Sequence, residues 1–234
     1  MLSSIDTRIL YKSDDCIVIN KLKGEAVEGA KPGIVDLARE LKIHFNTEFL
    51  EAAHRIDVPV TGCSLFALSK QALIFFNNAF AGNETAAVEK RYWAIAEKTK
   101  NDIPKSGKLT HWIEYNTKSN KSFAYPKENK NRKKAALYYR IIGEGINYLY
   151  VDVELHSGRH HQIRAQLASI GLHIKGDLKY GAKRSEKEGG IRLHARSLAF
   201  REPGKKDRIS VIADPPQIDN LWKGFMEKAL FLTT

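Results

Sequence analysis

The run AALYYRIIGEGINYLYVDVEL, residues 135–155, does most to limit what this chain can fold into. Two segments rich in β-branched and aromatic residues flank Gly-Glu-Gly-Ile-Asn, a stretch suited to reversing the chain. That is the pattern of a β-hairpin. An isolated hairpin is marginal in water, so further strands must share its buried face. RILYKSDDCIVINK supplies two short strands around the turn Ser13-Asp14-Asp15, and CSLFALSK reads as a buried strand. EKRYWAIAEK, GKLTHWIEYN, IRLHARSLAF and DRISVIAD are four more. Helical spacing appears in GIVDLARELKIHFN, with Ile34, Ala38, Leu41 and Phe45 on one face. QALIFFNNAFAG predicts a second helix ending near Gly82. RHHQIRAQLASIG predicts a third, with Ile163, Leu167 and Ile170 inward and Gly171 as its C-terminal cap. IDNLWKGFMEKALFL predicts a last amphipathic helix. Residues 118–134, KSNKSFAYPKENKNRKK, lack apolar periodicity and read as an exposed loop. Strands outnumber helices and many are joined by short turns. The expected class is α+β with a largely antiparallel sheet, in one domain spanning 1–234.

The chain has 234 residues, 43% of them hydrophobic, which suffices for a buried core and argues against disorder. No apolar run approaches the roughly 20 residues that span a bilayer. The opening MLSSIDTRILYKSDD lacks the cationic-then-apolar layout of a secretory signal, so a cytoplasmic protein without membrane contact is expected. Cys16 and Cys63 lie in apolar segments and read as small core residues. The net charge of +11 favours a polyanionic partner, although a lysine-rich soluble surface has the same composition.

Three segments are candidates for chemistry. HRIDVPVTG, residues 54–62, sets His54, Arg55 and Asp57 at the mouth of an apolar strand. Buried charges need partners, so Asp57 is either a structural ion pair or a carboxylate held for reaction. HSGRHH groups His156, His160 and His161, but Ser157-Gly158 interrupts helical spacing and no cysteine or carboxylate completes a ligand set. The better reading has Ser157 capping a helix and the histidines forming hydrogen bonds or facing phosphate; no metal is expected. RHHQIRAQ places Arg159, His160 and Arg164 near a helix start, a location that favours anions. Tyr92, Trp93, Trp112 and Tyr125 lie in basic neighbourhoods, a combination that holds unstacked bases, and equally one that core aromatics produce.

Taken in order, these segments resemble the RluA-type family of RNA pseudouridine synthases, over almost the whole chain. HRIDVPVTGCSLFALSK resembles its active-site motif, and EKRYWAIAE its Lys-x-Tyr-x-Ala strand. LHSGRHHQIRAQLASIGLHIKGDLKYG resembles its Gly-Arg-x-His-Gln-Ile-Arg helix and the Gly-Asp-x-x-Tyr-Gly loop after it. IRLHARSLAF resembles its Leu-His-Ala strand, and ILYKSDDCIVINKLKG its opening strands.

The resemblance implies a pseudouridine synthase catalytic fold: a mixed, largely antiparallel sheet flanked by helices and loops around a central active-site cleft. It implies conversion of uridine to pseudouridine in ribosomal or transfer RNA, without metal or organic cofactor, by a monomer. Asp57 would be the catalytic aspartate, acting on the sugar as nucleophile or base. Arg164 would pair with it, and Tyr92 would lie against the target base. Arg55 would enter the RNA stack where the uridine has left, with His54, Arg159 and His160 also on the RNA-binding side. Ile163 or a neighbour would pack the base's other face. A small S4 RNA-binding domain is not expected, because few residues precede ILYKSDD.

The chain departs from the family pattern at Val58, Pro59, Val60 and Thr61, where a charged residue and an extra hydroxyl are usual. It also has Lys21-Leu22-Lys23-Gly24 in place of Lys-Pro-x-Gly, and His160 where Thr or Lys is common. Two other classes remain to be weighed: a non-catalytic RNA-binding or ribosome-assembly protein on the same fold, and a metal-dependent nuclease using the histidines. The first has no need to keep Asp57, Tyr92 and Arg164 together. The second requires a bound metal.

Overall fold

The computed structural model describes residues 4–82, 87–100 and 102–230. In chain order the strands and helices begin β1 (Ile9–Lys12), β2 (Cys16–Lys21), β3 (Glu25–Ala26), β4 (Val35–Asp36) and α1 (Leu37–Phe45). They continue β5 (Glu51–Ala52), β6 (Thr61–Ala67), α2 (Lys70–Ala81), β7 (Glu89–Glu97) and β8 (Ser106–Asn116). The remainder are β9 (Lys121–Tyr125), β10 (Lys133–Glu144), β11 (Tyr148–Leu155), α3 (Gln162–Ser169), β12 (Leu193–Phe200), β13 (Ile209–Ile212) and α4 (Asn220–Leu230). The expected α+β class with mostly antiparallel pairing holds. These residues group into two compact units: 1–90 with 194–216, and 91–193 with 217–234.

In the first unit the strand order is β1-β2-β6-β12, with β5 added to β6 and β13 to β12. The β6–β12 pairing is parallel and the others in that set are antiparallel. Val18, Leu65, Phe76, Leu198 and Phe200 fill the core. Cys16 and Cys63 are part of it, and burial pushes both thiols up to about 12, so they pack as inert apolar groups. Helix α2 begins where the Ser69 hydroxyl accepts from the Ala72 N–H (3.1 Å) and ends at Gly82, as its sequence predicts. Helix α1 starts later than predicted. Asp36 caps it by accepting from the Arg39 N–H (3.1 Å), which leaves Ile34 outside the helix.

In the second unit the order is β7-β11-β10-β8-β9, antiparallel throughout. The predicted hairpin is β10–β11. Helix α4 covers Trp93, Ile95 and Tyr150 through Trp222 and Phe225; Phe231 and Leu232 of the predicted helix lie outside the described residues. Neighbouring side chains along a strand point to opposite faces, so Tyr92 faces away from α4. Tyr92 lies opposite Val153, Val153 opposite Tyr139, and Ala135 shares the Tyr139 face of β10. Ala135 packs with Ala165 of α3, so Tyr92 and α3 lie on the same side of this sheet.

Residues 118–134 are not the continuous loop that their composition suggests. Lys121–Tyr125 pairs with β8 as an edge strand, and Lys133–Lys134 already belongs to β10. The alternation is short but present: Ser122 is buried, and its N–H donates to the Tyr180 hydroxyl at 2.8 Å. Lys121 is half-buried with its ammonium over the Tyr180 ring, whereas Lys127 and Lys130 of the following loop are exposed.

Gly62 joins the loop 54–61 to β6 at φ +114°, and a Cβ there would lie 2.2 Å from the Ala195 carbonyl oxygen. No side chain fits between these strands. Gly62→Ala is expected to destabilise the protein by at least about 3 kcal/mol, from the clash and the positive φ together. Thermal unfolding measures this; a melting temperature within a degree of wild type would contradict the close approach.

Candidate active site

The HRID loop is fastened to the first unit on both sides of Asp57. Before it, the His54 Nε2 accepts from the Leu65 N–H (3.1 Å), and the ring stacks on Phe80 at 4.3 Å between centroids. Burial, with the nearby Lys90 charge, pushes His54 down to about 3, which matches an uncharged ring used as an acceptor. Arg55 points outward, with its side chain 74% exposed and Nη1 3.6 Å from Glu28. Ile56 turns back into the core.

Asp57 itself is half-buried, and its carbonyl accepts from the Val60 N–H at 2.9 Å. The Val58 carbonyl accepts from the Gly24 N–H (2.9 Å) and from Lys21 Nζ (3.2 Å). Val60 is 2% exposed, so the apolar residue that departs from the family pattern is a core anchor. The Thr61 hydroxyl lies 2.8 Å from His194 Nδ1, while His194 Nε2 lies 2.9 Å from the Ala213 carbonyl. A carbonyl only accepts, so Nε2 carries the proton and Nδ1 accepts from Thr61. Burial pushes His194 down to about 4, so this link is made by a neutral ring.

In the second unit, Tyr92 on β7 is 6% exposed and Arg164 on α3 is 5% exposed. Arg164 donates from Nε and Nη2 to the two carboxylate oxygens of Asp177, at 2.6 and 2.7 Å. The Tyr180 ring lies 4.9 Å from the same guanidinium. A bidentate buried pair of this kind sets the direction of the arginine as well as its charge.

The start of α3 differs from its sequence reading. The helix begins at Gln162, after His161 takes a left-handed conformation at φ +51°. Ser157 does not cap it; its hydroxyl reaches Gln162 Oε1 at 2.8 Å and accepts from the Ala136 N–H at 2.9 Å. The Gln162 side chain also accepts from the Arg159 N–H (3.0 Å) and donates to the Ala136 carbonyl (3.0 Å), tying the loop to β10. Arg159 and His160 are exposed. Arg159 Nε donates to the Lys134 carbonyl (3.2 Å), and His160 Nδ1 lies 2.9 Å from the Ser122 hydroxyl. His161 is buried beside Tyr180, its Nδ1 3.0 Å from that hydroxyl. Burial and the Arg164 charge lower its proton affinity. Among the described residues no group of three or more His, Cys, Asp or Glu is arranged to hold a metal.

Sequence reading missed Lys21, Gln162 and Asp177. Their signals were present inside quoted motifs: Lys21 in NKLKG, Gln162 in RHHQIR and Asp177 in GDLKYG. What the letters do not carry is which backbone atoms or charged groups these side chains reach.

Comparison with known proteins gives the chain a family. The family model for RNA pseudouridylate synthase matches residues 15–169, more than half of the chain. A Chlorobaculum parvum protein named uncharacterized RNA pseudouridine synthase is 31% identical, over 91% of this chain and 72% of its own. A protein of Haemophilus ducreyi named tRNA pseudouridine synthase C is 29% identical, over 92% of each chain. The solved structure of human RNA pseudouridylate synthase domain containing 4 superposes with a TM-score of 0.72 at 20% identity, over 96% of this chain and 93% of that one, a likeness of fold. The chain belongs to the RNA pseudouridylate synthase family. It is an RNA pseudouridine synthase, an isomerase that converts uridine in RNA to pseudouridine.

The two depressed histidines predict acid sensitivity. An unfolded histidine takes up a proton below about 6.5. Folded His54 and His194 do so only near about 3 and about 4. The unfolded chain therefore binds more protons across this window. Their contribution to stability is complete above the unfolded value and is lost as pH falls through the folded ones. The urea midpoint should drop between pH 7 and 4, and the drop should be smaller in His194→Gln. NMR signals of both rings that titrate near 6.5 in the folded protein would contradict this.

Proposed function

We propose that this enzyme modifies a uridine in transfer or ribosomal RNA, with Asp57 as its catalytic carboxylate. The observation that carries the assignment is the contrast within one loop. His54, Ile56, Val58, Val60 and Thr61 are all tied to the core, whereas Asp57 stays half-buried and Arg55 projects into solvent. A rigid frame around one carboxylate is what a positioned nucleophile or base needs.

The reaction is an isomerisation. The bond from C1′ to N1 breaks, the base turns, and a bond from C1′ to C5 forms. C5 loses its proton and N1 gains one, so no oxidant or group donor is consumed. Asp57 acts on the sugar, either by attack at carbon or by taking a proton. Tyr92 lies against the base and assists proton transfer. Arg164 is the site's cation by family resemblance, and a cation beside a carboxylate favours its ionised form. Arg55 fills the stack vacated by the flipped uridine, which offsets part of the few kcal/mol that flipping costs. Arg159 and His160 meet RNA at the start of α3, and His54 serves binding by bracing the loop. The names of relatives include both substrates, transfer RNA for the Haemophilus ducreyi protein and the ribosomal large subunit for one of Vibrio cholerae. The enzyme works in the cytoplasm as a monomer built on one catalytic domain; among the described residues no helix is long and apolar enough to cross a membrane.

Mapping pseudouridines across total RNA from cells with and without the gene tests this proposal. At least one site should disappear on deletion, return with the wild-type gene and stay absent with Asp57→Asn. A mutant that restores the site would sink the catalytic assignment. Arg55→Ala should slow modification of bound RNA roughly tenfold while overall RNA affinity changes less. Uniform loss of affinity with normal turnover of the bound RNA would remove Arg55 from the stack.

A further inference from the structure

The sheet of the second unit has two faces, and they are finished differently. On one, Ile113 and Ala135 pack with Ala165 of α3 and with Tyr180. On the other, α4 covers Trp93 and Tyr150. Trp93 lies opposite Asp152 and Asp152 opposite Arg140, so Tyr138, two residues from Arg140, shares the α4 face. The same face continues outward. Tyr138, Ala136 and Lys134 of β10 lie opposite Lys108, Thr110 and Trp112 of β8. Beyond them Tyr125 lies opposite Trp112, and Phe123 opposite Glu114. Lys108, Thr110, Phe123, Lys134 and Tyr138 are exposed, and Trp112 and Tyr125 are half-buried.

This stretch of sheet has its core on the α3 side, so aromatic rings on the open side are not required for packing. Trp112 and Tyr138 sit two side-chain steps apart, about 13 Å at the rise of a strand. Only the small side chains of Thr110 and Ala136 lie between them, which leaves the floor low. The carboxylates of this face are matched. Glu114 accepts from Arg132 Nε at 3.0 Å, and Asp152 and Glu154 lie 3.0 and 3.4 Å from Arg91. Arg132 also rests on the Tyr125 ring, 3.5 Å from its centroid. Lys108 and Lys134 add exposed positive charge beside the rings. Aromatic surfaces interleaved with cations suit bases joined by phosphates, as in single-stranded RNA. A duplex keeps its base faces stacked inside and has no use for the rings.

Strand β9 is the last of its sheet, so the two faces meet at its open edge. There the Lys121 ammonium lies 5.0 Å from the Tyr180 ring on the α3 side and 5.5 Å from the Phe123 ring. Arg159 and His160 reach the same end of the sheet, through the Lys134 carbonyl (3.2 Å) and the Ser122 hydroxyl (2.9 Å). An RNA strand leaving Arg159 and His160 can round this edge onto the second face.

We propose that the face of β8, β9 and β10 turned away from α3 is a platform for a single-stranded flank of the RNA substrate. Bases stack on Phe123, Trp112 and Tyr138, and Lys108 and Lys134 meet phosphates. The route round β9 rests on Arg159 and His160 meeting RNA. The platform stands on its own residues, and neither depends on Asp57.

The test measures, by fluorescence anisotropy, the affinity of the full chain for a labelled RNA single strand of about 12 nucleotides, within the span that small binding folds cover. The same strand in a duplex is the comparison. Phe123→Ala and Tyr138→Ala should each weaken single-strand binding at least about fivefold. Duplex binding should change by less than about twofold. Lys134→Gln should lower the salt dependence by roughly one phosphate contact. Ile74→Ala, an exposed change on α2, should bind as wild type does. With total RNA from cells lacking the gene, either ring variant should need more enzyme for half-maximal pseudouridine formation. Wild-type affinity in both ring variants overturns the platform, as does an equal loss on the duplex or in Ile74→Ala. Failure of both ring variants to fold also overturns it, since the rings are then structural. Loss of binding in Arg159→Ala alone leaves Arg159 as an RNA contact and removes the platform. If the ring variants bind RNA normally but abolish a dimer seen by sedimentation, the face docks a second copy and the proposal falls.

Discussion

The loop that carries Asp57 depends on one close approach, the packing of Gly62 against the backbone of Ala195. With no Cβ in the way, β6 and β12 run side by side in parallel at His194↔Thr61 and Ala195↔Gly62. That register brings the Thr61 hydroxyl onto a buried neutral histidine and ends the loop at a defined height. Any side chain at 62 would push the strands apart and release the loop from its far end. Close approach of two backbones is the usual reason for an obligatory glycine within a strand.

Buried cations then do the orienting. Arg8 is matched by Glu25, Lys21 by three carbonyls and Arg164 by Asp177. Replacing a buried ion pair by well-packed apolar groups is often neutral or stabilising, so such pairs are weak evidence for stability. Their value here is directional. A bidentate carboxylate holds the guanidinium of Arg164 in one plane, and three acceptors leave the Lys21 ammonium no alternative pose. Neither result follows from burying leucine in the same volume.

The departures from the family pattern look different once the packing is known. Val60 anchors the core where a hydroxyl is usual, and Val58 supplies only its carbonyl. Leu22 gives an N–H that proline lacks, and Glu25 is there to accept it. His160, exposed, leans on Tyr115 and Ser122 in the second unit. Each substitution is absorbed by a contact within reach of the backbone.

Much was legible in the letters. Alternation in residues 135–155, the turn at Ser13-Asp14-Asp15 and the Ser69-to-Gly82 helix are local patterns, and local patterns report the periods of strand and helix directly. The order of the motifs was enough to place the chain in its family and to single out Asp57, Tyr92 and Arg164. Failures came where local and tertiary preferences compete. Lys121–Tyr125 reads as part of a polar loop because lysines and asparagines surround it, and pairing with β8 makes it a strand. Ser157 looks like a helix cap, yet Gln162 captures its hydroxyl and the helix starts five residues later. The sequence by itself determined most of the strands and helices and the family to which the chain belongs. Only the tertiary structure decided that Lys21 holds the Val58 carbonyl and that Asp177 holds Arg164. Those partners are 37 and 13 residues apart along the chain. Distances of that kind are set by packing, where an uncompensated buried charge forces a search for acceptors that no local pattern records.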